Sequence, residues 1–290
     1  MTNLTMINSN FRILQFTDIH LMKLPTDNQS YDLMKKAILE FHPDFIIITG
    51  DITMTSDNFD LLIDLREFLD SFKIYWSFVF GNHDQESLLS LEEQADILMK
   101  GKYCLFEKGN TLIKGCGNYY LKVIKNNKLI ALLGLLDSHN TRIDVINEKE
   151  IWSYDYIGQD QIDEAVQTIE TLKKENPDFS SLFFFHIPLV DYKTAIEEKD
   201  ETIEGSCFEE ISCSKYENFF FKQVSKTKTL KGIFVGHDHV CDFSFMKEGC
   251  LLAFGRCTGH YNYTMPSFQK GARIIDVDEL GKVSSWVYIE

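Results

Sequence analysis

Five short apolar runs in this chain each stop at a residue able to hold a metal ion, and that punctuation narrows the possible folds sharply. The runs cover 11–16, 45–49, 74–80, 181–185 and 232–235. They are followed by Asp18 and His20, by Asp51, by Asn82 with His83, by His186, and by His237 with His239. Each run is rich in β-branched and aromatic residues and too short for a typical helix, so each reads as a buried strand. The run at 74–80 closes on Gly81-Asn82-His83-Asp84, which places an amide, an imidazole and a carboxylate at the rim of a sheet. Between the first three runs the pattern is helical. One helix starts near Ser30, a good N-cap, and ends at His42-Pro43; a second spans 59–72 with Phe59, Leu62, Leu65, Leu69 and Phe72 at helical spacing. Strand–helix–strand–helix–strand predicts an α/β fold whose parallel sheet is built by right-handed crossovers.

After Asp84 the pattern predicts a helix over 88–99, then a hairpin of 118–124 and 129–136 joined by the polar turn Lys125-Asn126-Asn127-Lys128. A helix over 159–175, with Ile162, Val166, Ile169 and Leu172 on one stripe, is stopped by Pro177. The acidic, mixed segment 191–214 reads as an active-site loop or lid. Strands at 243–247, 251–254, 273–277 and 283–289 complete the chain. No linker, repeat or low-complexity tract interrupts it, so a single domain over 1–290 is the simpler reading.

Composition excludes some classes of function. A formal charge of −15 argues against a nucleic-acid-coating surface and against docking on anionic lipid. No apolar run approaches a membrane span, and the polar first ten residues lack the pattern of a signal peptide. The seven Cys form no CxxC pair, which predicts reduced thiols in a cytoplasm; Cys207 with Cys213, or Cys241 with Cys250, are the pairs that proximity could join.

In an open α/β sheet the carboxyl ends of the strands share one edge, so the residues that follow the five runs should converge. Asp18 and His20, like His237 and His239, are two apart; on extended backbone both members of each pair project to the same side. Gly50, Gly81 and Gly236 each precede a ligand and let backbone approach closely. Carboxylate, imidazole and amide without thiolate suit Mn, Fe, Co or Zn in a reactive centre rather than a structural zinc. Two Asp against two divalent ions and a bridging hydroxide leave a charge of about +1. Such a centre calls for a small anionic substrate group, and phosphate is the obvious one.

The set Asp18-x-His20, Gly50-Asp51, Gly81-Asn82-His83-Asp84, His186 and Gly236-His237-Asp238-His239 resembles the motifs of the calcineurin-like metallophosphoesterases over residues 11–242. The contexts Gln15-Phe16-Thr17-Asp18-Ile19-His20, Phe185-His186-Ile187-Pro188 and Gly271-Ala272-Arg273 are most similar to the branch of the purple acid phosphatases. The resemblance implies a four-layer αββα sandwich with two mixed β-sheets and a dinuclear metal site at the strand C-terminal ends. It implies that Asp18, His20 and His239 hold one ion, Asn82, His186 and His237 the other, and Asp51 bridges them. His83 would be the general acid, oriented by Asp84, in hydrolysis of a small phosphomonoester or phosphodiester by a bridging hydroxide. Purple enzymes carry a Tyr three residues after the bridging Asp; Met54 stands there, so two divalent ions are expected, Mn before Fe or Zn. Around the rim, His139, Arg256 and His260 are candidate substrate contacts. The alternatives are a non-catalytic metal-binding scaffold on the same fold and a nuclease, the latter disfavoured by the charge.

Overall fold

The computed structural model describes residues 1–216 and 219–290. In chain order the elements are β1 (Thr2–Thr5), β2 (Asn10–Phe16), α1 (Pro25–Phe41), β3 (Phe45–Thr49), α2 (Phe59–Ser71), β4 (Tyr75–Val79), α3 (Leu91–Leu98), β5 (Tyr119–Lys125) and β6 (Lys128–Leu135). They continue with β7 (Thr141–Ile146), β8 (Lys149–Tyr154), α4 (Gln159–Lys173), β9 (Ser180–Phe184), α5 (Val190–Glu198), α6 (Phe220–Val224), β10 (Leu230–Val235), β11 (Ser244–Lys247), β12 (Cys250–Phe254), β13 (Gly271–Asp278) and β14 (Val283–Ile289).

Strands β2, β3 and β4 are parallel, as the alternation of runs and helices predicts, and β13 and β14 extend their sheet antiparallel to give the order β14-β13-β2-β3-β4. A seven-stranded sheet, β1-β5-β6-β9-β10-β12-β11, is parallel through β6, β9, β10 and β12. Successive residues of its inner strands belong to different layers. In β9, Leu182 and Phe184 join the core between the sheets, whereas Phe183 packs outward with Phe220 of α6. Strands covered on both faces must be apolar at every position, which is why they appear in the sequence as unbroken runs. The core between the sheets continues beneath α1, α2 and α3; a second core lies between the seven-stranded sheet and α4, α5 and α6. The result is the four-layer αββα sandwich with two mixed sheets.

The hairpin turn between β5 and β6 falls at Asn126 and Asn127, both with left-handed backbone (φ 50° and 63°), the conformation a two-residue turn requires. Several elements differ from expectation. Helix α1 starts at Pro25 rather than near Ser30, because Asp27 accepts the Leu24 amide and fixes the first turn there. Strand β1 and the β7–β8 hairpin have no counterpart in the sequence reading. The cysteine expectation is also corrected. Cys207 is bonded to Cys241, its neighbour across an antiparallel bridge, an adjacency that sequence spacing cannot reveal. The other five cysteines are unpaired. No helix among the described residues is long and apolar enough to cross a membrane.

Candidate metal centre

Strands β2, β3 and β4 end at the edge of one sheet, and β9 and β10 end beside them at the edge of the other. Asp18, His20, Asp51 and Asn82 come from the first set, and His186, His237 and His239 from the second. All seven are buried. Ligand atoms of Asp18, His20, Asp51 and His239 lie within 4.8 Å of one another, as do those of Asp51, His186 and His237, so Asp51 belongs to both groups. Asn82 joins the second through its Oδ1, 3.2 Å from His186 Nε2.

The local backbone is not the extended one expected from the i, i+2 spacing. Asp18, His20, Asp51 and His237 all have left-handed φ, between 48° and 84°. Coiling the chain beyond the strand ends turns the ligand side chains back toward one point, at a steric cost that non-glycine residues accept where surrounding contacts hold them. Those contacts are present: the His237 amide donates to Asp18 Oδ2 (3.0 Å), and the His83 amide donates to Asp51 Oδ1 (2.9 Å). A Cβ on Gly81 would meet Asp51 Oδ1 at 2.2 Å, and one on Gly236 would meet Thr17 Oγ1 at 2.0 Å. Glycine is therefore required at both places for close approach.

The donor set fits divalent cations. His186 Nδ1 lies 2.8 Å from the Thr49 carbonyl oxygen, which can only accept, so Nδ1 carries the proton. Its Nε2 then faces Asp51 Oδ2 (3.2 Å), Asn82 Oδ1 (3.2 Å) and His237 Nδ1 (3.2 Å). His20 likewise turns Nδ1 to Met54 Sδ (3.1 Å) and Nε2 to Asp51 Oδ2 (3.3 Å). His20 Nε2, Asp51 Oδ2 and His237 Nε2 are buried and meet no partner in hydrogen-bonding geometry. Lone pairs gathered out of water in this way need a positive charge among them.

Without a cation, protons fill that role. Burial opposes charge, but Asp18 and Asp51 outweigh it and push His20 up to about 9. Asp51 likewise pushes His186 up to about 10. Burial and the neighbouring His186 push His237 down to about 3. Burial alone would raise Asp18; the His20 and His239 imidazoles hold it well below the usual carboxylate range.

Residues 11–241 match the model of a family described as calcineurin-like phosphoesterase. The chain belongs to the calcineurin-like phosphoesterases. Among curated relatives of this chain is a protein of Arabidopsis thaliana named "probable inactive purple acid phosphatase 29". It is 29% identical over 308 residues that cover 94% of this chain and 78% of that protein. Phosphatase DCR2 of Saccharomyces cerevisiae is 27% identical, over 86% of this chain and 47% of the yeast protein. In fold the chain is similar to a dimetal phosphatase from Danio rerio, with TM-score 0.58, 12% identity and coverage of 96% of this chain and 98% of that one.

Around the candidate metal centre the expected residues divide. His83 stands at its mouth, with its ring centroid 5.2 Å from that of His20. The carboxylate on its Nδ1 is Glu86 (2.8 Å), three residues on in a single 3-10 turn, and not Asp84. Asp84 is fully buried and accepts the amides of Gly81 (2.8 Å), Ile52 (2.9 Å) and Thr53 (3.3 Å). It ties the turn after β4 to the turn after β3 and does not orient the imidazole.

Two rim candidates are structural. Arg256 is buried against Phe268, paired with Asp242, and donates through Nε to the Gln269 carbonyl (2.7 Å). His260 is paired with Glu290 (3.2 Å), and its amide donates to Ser30 Oγ. His139 lies outside the ligand cluster, hydrogen-bonded to Gln161 (3.0 Å), on the wall of a cavity of about 670 Å³.

Segment 191–214 forms α5 and then a loop that reaches the centre: Glu209 accepts the Val240 amide (2.7 Å) and the Tyr263 hydroxyl (2.7 Å). Tyr263 stacks on His239 (centroids 4.3 Å), and Tyr154 stands edge-on to His237 (4.5 Å). Sequence reasoning missed Glu86, Glu209 and Tyr154. Only Glu86 carried a signal there, its three-residue spacing from His83.

Proposed function

We propose that this protein hydrolyses small phosphoesters, monoesters or diesters, at a dinuclear centre. The observation that carries the reading is the pair of buried ligand groups sharing Asp51, each furnished with imidazole nitrogens whose lone pairs face inward. Asp18, His20, Asp51 and His239 would hold one cation, and Asp51, Asn82, His186 and His237 the other. When bound, two such ions lower the pKa of water into the neutral range and offset charge on the phosphoryl oxygens. Nitrogen and oxygen ligands, with Met54 where a phenolate would stand, favour two divalent ions, Mn first.

His83 supplies the proton for the departing oxygen. It lies beside the ligand groups yet is not one of them, its side chain is 27% exposed, and Glu86 fixes its ring. General acid catalysis of this kind is worth about 10²–10⁴-fold. The direct test is turnover of 4-nitrophenyl phosphate and bis(4-nitrophenyl) phosphate by Mn-loaded protein, with metal analysis of the same sample. His83→Ala should keep two metals per chain and lose most turnover; full activity in that variant would refute the assignment.

A second reading, a metal-binding scaffold without turnover, draws on the relative named inactive. It predicts stoichiometric metal uptake and no hydrolysis of either ester by the unaltered chain. The formal charge of −15 counts against a third, nuclease reading.

A further inference from the structure

The β7–β8 hairpin has two unlike faces. On the back, Arg142 lies 5.1 Å and 5.4 Å over the rings of Tyr156 and Tyr216 and forks onto Asp144, while Ser153 Oγ accepts the Lys215 amide. That face is fastened to the body of the protein. On the front, the register sets Thr141 opposite Tyr154 and Ile143 opposite Trp152, with Val145, opposite Glu150, next along toward the hairpin tip. Ile143, Val145 and Trp152 are 62%, 69% and 50% exposed. The front face starts at the metal centre: Tyr154 stands 4.5 Å from the His237 ring, and Trp152 stands 4.9 Å from Tyr154. An apolar, aromatic strip on an anchored hairpin, continuous with a ligand histidine, is unusual on a chain carrying a net charge of −15.

We infer that Tyr154 and Trp152 form a platform for a planar aromatic group on the alcohol side of the phosphoester, so that the preferred substrates are aryl or nucleoside phosphates. The inference rests on the hydrolase reading. Rings stack on rings wherever both lose contact with water, and the gain does not depend on which planar group arrives. Tyr154 is within reach of an aryl group attached directly to the phosphate oxygen. Trp152, one ring farther out, suits a base held at the distance of a ribose.

The test is equilibrium binding by calorimetry to the Mn-loaded protein, with three probes that cannot turn over: methylphosphonate, phenylphosphonate and the 5′-methylenephosphonate analogue of AMP. Each aromatic probe should bind about tenfold more tightly than methylphosphonate. Trp152→Ala should remove the advantage of the nucleoside probe at least, while leaving methylphosphonate within about twofold. Loss for both aromatic probes assigns any planar group; loss for the nucleoside probe alone assigns nucleotides. Equal affinity for the three probes, or an advantage that survives for both in the variant, overturns the platform and leaves the hydrolase reading standing. Failure of the unaltered protein to bind even methylphosphonate overturns both. A dimer that dissociates on Trp152→Ala, with phosphonate affinities unchanged, would make the strip an interface between copies and would also overturn it.

Discussion

His83 and Asp84 are adjacent in sequence and opposite in task. His83 faces the mouth of the centre with Glu86 on its Nδ1, whereas Asp84 is inside, gathering three amides from two turns. Glu86→Gln should therefore lower kcat about tenfold with metal content and melting temperature unchanged, as expected when a partner that orients a reacting side chain is weakened. Asp84→Ala should do the reverse first: it leaves three buried amides without an acceptor and should cost about 1–3 kcal/mol for each amide that finds no replacement, read as a lower denaturation midpoint together with lost metal. Equal behaviour of the two variants would contradict the division. Gly81→Ala is a third case. Its Cβ would fall 2.2 Å from Asp51 Oδ1, so the variant should fold but bind less than two metals per chain by elemental analysis. That these candidate ligands gather in one place was legible in the sequence, because their types and their place after apolar runs are both written there. Arg256 and His260 were misread because a loop-like stretch does not disclose that its cation is buried against Phe268 or that its imidazole is held by Glu290, 30 residues beyond it in the chain.

At the scale of elements, legibility tracks burial. Strands β3, β4, β9 and β10 are buried on both faces or nearly so and are plain as runs. Strand β1 is polar and on a sheet edge, with only Leu4 buried, and the β7–β8 hairpin alternates charge with exposed apolar residues. Neither contains the unbroken apolar run that marks the buried strands. The two-sided burial makes a prediction of its own. Phe184 packs between the sheets and Phe183 against α6, so alanine at either position should cost about 3–5 kcal/mol. Urea denaturation should show both losses as shifted midpoints; a loss below about 1 kcal/mol at one position would mean that its layer is not close-packed.

For the molecule as a whole, the centre's electrostatics set how stability depends on pH. His20 and His186 are raised to about 9 and about 10, above the unfolded value of about 6.5. The stability they contribute in the metal-free protein is fully present below about pH 6.5 and is lost as pH rises through 9 to 10. The melting temperature of metal-free protein should fall over that interval. Metal-loaded protein, with these imidazoles already deprotonated, should not follow it; parallel curves would refute the pairing. The αββα sandwich is the fold that the family resemblance implies, and its motifs converge because each follows a strand that ends at the same side of the two sheets. The disulfide from Cys207 to Cys241 escaped because it depends on a contact between distant loops.

The two sheets contribute to the centre in nearly equal parts, four candidate ligands from one and three from the other. Hydrogen bonds that cross between them there include Gln15 Nε2 to the Val235 carbonyl, His186 Nδ1 to the Thr49 carbonyl, His186 Nε2 with Asn82 Oδ1, and the His237 amide to Asp18. Cations bound at this seam would act as rivets between the halves of the sandwich. Amide hydrogen exchange near the carboxyl ends of β2, β3, β9 and β10 should slow together on metal loading, while the far ends of the same strands keep their rates.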